Sequence, residues 1–425
     1  MLFLITAPIL SSKSIEITKK QTENIQKNSI EIQSLDSKVQ EIINKINETM
    51  LRSLMEELLL IGPRMTSTYG YEKAAEYIIN KFNKAGLETR TQPWEAWGNL
   101  WHPRYFKADN IEATQNGINE NCDDVIIFNA HYDTVRDTPG ANDDGSGVVA
   151  VLAAAQILSQ YQFNKTIKYV TFSGEEIGLR GSRAYVKEQY DKETDILIEF
   201  NADMIAKSEG KKMRISKTED ANWAVDILRE ISNETGMDFN ITTYDVNRGV
   251  SGGSDYAEFA RLGYETLAFW QGGGDPDMHK PGDTIEKINF SYFVNYTKHI
   301  VGAIACIADL KLEEPRIKIV NPKREKIFLE DIIIGSLDNY KTIVFDKTLV
   351  TADVEEGLYP VQNVKFYYDG KLAYTDDKAP YQWWLNKTSI FKNHVIKAVV
   401  NDTNSNTAED EITIMYTNIF KNDRN

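Results

Sequence analysis

The sequence predicts an α/β domain, built on a mainly parallel mixed sheet covered by helices on both faces, followed by an all-β sandwich. Three observations carry this expectation. Between residues 50 and 310, short continuous apolar runs such as VIIF at 125–128 alternate with helix-length stretches of 3.6 periodicity. That is the pattern of strands buried on both faces. Helical periodicity then stops near Glu313-Glu314-Pro315, and beyond it alternating segments flank turn signals, Asp369-Gly370 above all. The 425 residues divide accordingly into an apolar tip with an amphipathic helix (1–45), the α/β domain (46–313) and the sandwich (314–425).

The elements follow in order. Residues 13–45 are rich in Lys, Glu, Gln and Asn, and Ile32, Leu35, Val39, Ile42 and Ile46 recur at steps of three and four. This stripe is expected to lie on the following domain rather than to form a coiled-coil dimer. Leu51, Leu54, Leu58 and Leu59 mark a helix ending at Gly62-Pro63. A second helix covers 72–85, with Ala75, Ile78, Ile79 and Phe82 inward and Gly86 as its cap. Strand 125–128, helix 148–161, strand 167–172, helix 180–190, strand 196–200, helix 223–235, strand 266–270 and helix 292–310 complete the domain. In the sandwich, 364–368 and 371–374 form a hairpin, and 394–400 and 411–416 alternate as strands. Tyr381, Trp383 and Trp384 are expected to fill its core. The alternative is an exposed face that contacts a cell surface or polysaccharide.

Composition excludes several function classes. Forty-eight basic residues against 63 acidic ones leave a net charge of −15, which repels phosphate backbones and anionic lipid. Nucleic-acid partners are not expected. Cys122 and Cys306 form no spacing motif, so neither a disulfide scaffold nor a cysteine zinc finger is available. No apolar run reaches the roughly 20 residues of a membrane span. Residues 2–10 (LFLITAPIL) have the length of a signal-peptide core, with Ser11-Ser12 after it and no basic segment before it. An extracellular or cell-envelope location is therefore expected, from an incomplete signal.

Polar clusters follow four of the strands: His131 and Asp133, Glu175-Glu176, Asp203, and His279 after a short loop. In open α/β sheets the ligand crevice lies beyond the carboxyl ends of the strands, so these clusters converge. A fifth, 142–147 (NDDGSG), opens the helix at Val148. Each alone has an ordinary structural explanation: a hydrogen-bonded pair, a solvated helix start, a capped turn. The chain has only five His, however, and two stand in these clusters; His102, His299 and His394 are expected to be structural. Imidazole and carboxylate without thiolate suit Zn²⁺, Co²⁺ or Mn²⁺ in a hydrolytic site, and the number of donors suits a pair of ions.

The ordered motifs HYD (131–133), GANDDGSG (140–147), SGEEIGLRGS (173–182), NADMIA (201–206), GGSDYAEF (252–259) and HKPGDT (279–284) resemble the M28 family of two-zinc exopeptidases over about residues 50–310. The resemblance implies zinc held by His131 and Asp203 at one position and by Glu176 and His279 at the other, with Asp143 bridging. It implies Glu175 as general base, a cis Asp143–Asp144 peptide, and supporting roles for Asp133 behind His131, for Asp144, and for Asp283 near His279. Asp255 and Tyr256 are candidates to contact the substrate, a peptide with a free N-terminus. Many family members place Tyr before the last His; here Met278 stands there, which leaves Tyr244, Tyr256 and Tyr264 as candidate oxyanion donors. Segment 365–381 (KFYYDGKLAYTDDKAPY) resembles bacterial Ig-like modules. Beside aminopeptidase, the fold also serves carboxypeptidases or dipeptidases, glutaminyl cyclases and receptor-like proteins without ions.

Overall fold

A computed structural model describes residues 37–119, 124–208, 210–246, 253–310, 314–337 and 341–418. The expected apolar tip, Ile32, Leu35 and Cys122 lie outside these residues. Helices α1 (Ser37–Lys45), α2 (Glu48–Leu59) and α3 (Tyr69–Lys84) come first. Asn47 and Thr68 cap α2 and α3 by accepting from main-chain N–H groups three residues on. Val39, Ile42 and Ile43 of α1 are buried in the same core as α2 and the central helices. The apolar stripe of α1 thus lies on the α/β unit that follows it.

The sheet has eight strands in the order β1-β2-β4-β3-β5-β8-β6-β7. They are β1 (Glu88–Trp97), β2 (Tyr105–Gln115), β3 (Val125–His131), β4 (Thr166–Phe172), β5 (Ile196–Ala202), β6 (Lys212–Lys217), β7 (Asn240–Asp245) and β8 (Thr266–Gln271). β4, β3, β5 and β8 run parallel in the centre, whereas β1, β2 and β6 supply the antiparallel pairings. The buried central strands follow from the apolar runs in the sequence. β1 and β2 were not expected; β1 alternates exposed and buried residues around Pro93 and presents no continuous run. Helices α4 (Gly145–Leu158), α5 (Arg180–Asp191), α6 (Asn222–Thr235), α7 (Tyr256–Arg261) and α8 (Phe290–Asp309) complete the unit. Nearly all of α4 is buried, and α1 packs on α8.

The C-terminal region forms two sheets, of seven and three strands, closed around Phe328, Val350, Phe366, Trp383, Ile396 and Tyr416. Asp369 and Gly370 both have positive φ at the tight hairpin turn, as a two-residue loop of this kind requires. Trp383 is buried in this core and Tyr381 packs against it, but Trp384 is exposed. The sandwich docks on the N-terminal ends of the central strands. Arg316 bridges Asp124 and Asp195, which precede β3 and β5, to Glu355 of the sandwich. Arg261 pairs with Glu325, and the Arg324 N–H donates to the Tyr190 hydroxyl.

Candidate metal centre

The opposite, carboxyl ends of the central strands bring the polar clusters together. His131 closes β3, a strand buried throughout its length. Its Nδ1 lies 3.1 Å from the Asp133 main-chain carbonyl. A carbonyl only accepts, so Nδ1 is the donor and Nε2 faces the acids. Nε2 lies 3.4 Å from Asp143 Oδ1 and 3.8 Å from Asp203 Oδ1. His279, at φ +59 in the loop after β8, places its Nε2 3.2 Å from Asp143 Oδ2 and 3.2 Å from Glu176 Oε2. The two oxygens of Asp143 thus face one imidazole each.

Two donor groups result, with the atoms in each within 4.8 Å of one another: His131, Asp144 and Asp203, and Asp143, Glu176 and His279. Asp144 already accepts main-chain N–H groups from His131, Gly147 and Met204 at 3.3, 2.9 and 3.2 Å. Its lone pairs are engaged in capping α4 and tying it to β3 and to the turn after β5, so it supports the site. Glu176 Oε1 and Asp203 Oδ1, in contrast, are buried without a hydrogen-bond partner among the described residues. Buried carboxylate oxygens of this kind are costly unless a cation or donor meets them, so the donor set fits divalent metal. The Asp143–Asp144 peptide is cis.

Surrounding side chains hold the cradle. Thr66 Oγ1 and the Glu175 N–H both donate to the Asp133 carboxylate, at 2.8 and 3.2 Å. Asp133 therefore steers His131 chiefly with its carbonyl, and its carboxylate, 3.7 Å from the ring, positions the Glu175 backbone. Asp283 accepts from the N–H groups of Asn142 and Asp143 at 3.1 and 3.0 Å and pairs with Lys207 at 2.8 Å. It holds the main chain of Asp143, where the sequence had suggested His279. Lys207 also pairs with Asp275 and Asp277, so one ammonium gathers the whole loop around His279. Arg64 is fully buried and donates from Nε to the Tyr132 carbonyl (2.9 Å), from Nη1 to that of Pro139 (2.7 Å) and from Nη2 to that of Gly140 (3.0 Å). Gly140 has φ +62, and a Cβ there would stand 2.6 Å from the Asp143 carbonyl oxygen, so this approach needs glycine. Neither Arg64 nor Lys207 was expected.

Electrostatics follow from the crowding. Burial raises Glu175 well above the ordinary carboxylate range; His131 opposes this and Glu176 and Asp255 add to it. Burial would also raise Asp143, but hydrogen bonds to His131 and His279 hold it low. The Asp143 and Glu176 carboxylates bring His279 up to about 10. Asp255 is fully buried, and burial pushes it up to about 7. Tyr256 is buried beside Trp270, whereas Tyr264 lines the cleft under the sandwich and Tyr244 is exposed on β7 beside Arg214. Tyr264 is therefore remote from this end of the strands. His299 is buried on α8, and His394 hydrogen-bonds Ser389 and Asp369 in the sandwich.

Residues 110–304 match the model of Peptidase family M28. Aminopeptidase YwaD of Bacillus subtilis is 31% identical over 214 residues, which cover 48% of this chain and 45% of that protein. Aminopeptidase Y of Saccharomyces cerevisiae is 26% identical over 229 residues, 48% of this chain and 40% of that one. The chain thus spans about half the length of the curated relatives it matches. A zinc aminopeptidase structure from Bacillus subtilis superposes with TM-score 0.56 at 19% identity, covering 62% of this chain and 96% of that one. At that identity the likeness establishes the fold.

Proposed function

We propose that this chain, whose residues 110–304 belong to peptidase family M28, is a zinc aminopeptidase that removes the first residue of peptides with a free N-terminus. One observation carries the reading: the Asp143 carboxylate turns one oxygen to His131 and the other to His279, at 3.4 and 3.2 Å. This supports Asp143 as the bridge between two zinc positions, one completed by His131 and Asp203 and the other by Glu176 and His279. Bound there, zinc would polarise the scissile carbonyl and lower the pKa of a water toward neutrality.

The remaining chemistry belongs to the chain. Glu175 accepts a proton from the attacking water at its carboxylate and returns it to the leaving amine, and its burial among acids suits it to both steps. Asp133 fixes Glu175 through its N–H, and Asp283 with Lys207 fixes Asp143. Asp255 and Tyr256 are assigned to the substrate's amino end, where a buried carboxylate suits an ammonium group. No helix among the described residues is long and apolar enough to cross a membrane; export remains part of this proposal and rests on residues 2–10. No specific observation favours the carboxypeptidase, cyclase or receptor readings, and the two-sided Asp143 carboxylate speaks against a single-ion site.

The test is direct. Zinc-reconstituted protein should hold two ions per chain and cleave leucyl-p-nitroanilide but not its N-acetyl counterpart. A chelator should abolish the activity and added zinc restore it. One ion per chain, or equal cleavage of the acetylated substrate, refutes the proposal.

A further inference from the structure

The end of β1 and the loop that follows it carry Trp97, Leu100 and Trp101, exposed at 63, 95 and 87%. Tyr105 packs edge-on against Trp97 at 5.9 Å. The fold leaves this apolar tip uncovered, yet fastens it to the segment that bears Glu175 and Glu176. Asn99 Nδ2 donates to the Glu176 carbonyl at 3.5 Å, and Arg180 donates to the Gly98 carbonyl at 3.4 Å. The Trp94 indole donates to Ser173 Oγ at 2.9 Å. Within the tip, Asn99 Oδ1 accepts from the N–H groups of Trp101 and His102 at 3.1 and 3.0 Å. The tip is thus braced at the rim of the metal centre.

We propose that this tip binds the part of the peptide beyond the bond being cut, and favours substrates with bulky apolar residues there. The inference rests on the aminopeptidase reading, and charge supports it. With Asp143, Glu176 and Asp203 taken up by the zinc positions, Asp255 is the acid left inside the site for the ammonium end of a peptide, so the rest of the chain must leave across the rim. An extended peptide advances roughly 3.3 Å per residue, which brings its second and third residues past the cut to a tip that touches Glu176 itself. The aromatic and aliphatic surface there matches apolar side chains, and a dipeptide would not reach it.

The experiment compares wild type with the Leu100→Ala/Trp101→Ala double variant on leucyl-p-nitroanilide and on pentapeptides beginning with Leu. One pentapeptide carries Phe-Leu and the other Ser-Asn at the second and third positions past the cut. The ratio of kcat/KM on the apolar pentapeptide to that on the anilide should fall about tenfold in the variant, mainly through KM. That is the effect of losing roughly 60 Å² of covered apolar area. Trp101→Phe should restore part of the ratio, which a folding defect would not. An unchanged ratio, or wild type that treats both pentapeptides alike, overturns the inference. So does an unchanged ratio accompanied by loss of vesicle binding or of dimerisation in the double variant, which would assign the tip to lipid or to a second copy. Wild type that cleaves none of the three substrates instead sinks the aminopeptidase reading, and this inference with it.

Discussion

Replacing Arg64 by Met tests whether the cradle is built from main-chain contacts that a single guanidinium gathers. Three side-chain hydrogen bonds go to the carbonyls of Tyr132, Pro139 and Gly140, tying the end of β3 to the loop that delivers Asp143. A hydrogen bond from a charged donor contributes about 1.5–3 kcal/mol, so three give an upper bound of about 4.5–9. Burying the guanidinium opposes this; burial pulls Arg64 down to about 10, against the attraction of Asp283, Asp144, Asp133 and Asp143. Losing one partner of a buried charged network typically costs about 3–5 kcal/mol, and that is the expected loss for Arg64→Met. Arg64→Lys keeps the charge but reaches at most one or two of the three carbonyls, so it should lose about half as much. Urea unfolding followed by tryptophan fluorescence measures both, and a zinc titration reads the cradle independently. If Arg64→Met unfolds within about 1 kcal/mol of wild type and binds zinc equally well, the staple argument is wrong.

Glu175→Gln should keep both zinc ions and lose at least ~10²-fold in kcat, whereas Glu176→Gln should lose zinc from one position; identical metal content and rates in the two variants would refute the division of roles. A chain ending near residue 312 should retain activity toward a dipeptide, because the sandwich sits at the other end of the strands. It should also unfold about 2 kcal/mol more easily, since Asp124 and Arg261 lose Arg316 and Glu325; an inactive but folded product would contradict this. Glu199 is fully buried on β5, where among the described residues only Asn129 donates to its side chain, and burial raises it well above the ordinary range. A raised acid contributes stability that is present below its unfolded pKa and lost as pH rises toward the folded one. Glu199→Gln should therefore gain on wild type by about 1.4 kcal/mol per pH unit from pH 5 upward, and a flat difference between pH 5 and 7 would disprove it.

The central strands were legible because burial on both faces leaves an unbroken apolar run, as in β3. The ligand-type residues were legible because strand ends in such a sheet share one crevice. β1 was not, since a half-exposed edge strand interrupted by Pro93 looks like loop, and β2, though paired on both sides, mixes polar and apolar residues without a continuous run. Arg64 was illegible for a different reason: its partners are carbonyls, which every residue has, so no pairing pattern marks it. Asp133 and Asp283 were found as acids near the site, but what each holds turned out to be a main-chain N–H. Lys207 finds its three aspartates only through the path of the loop between Asp275 and Asp283.

The placement of the sandwich gives the molecule a handle and a working tip. It grips the opposite ends of the parallel strands, and seven residues of β5, roughly 20 Å of sheet, separate that grip from the candidate metal centre. A load applied to the handle would enter the sheet through Asp124 and Asp195, at the pole opposite His131 and Asp203. Whatever the handle holds, the mouth points the other way. Anchorage and access to peptides therefore do not compete for the same surface.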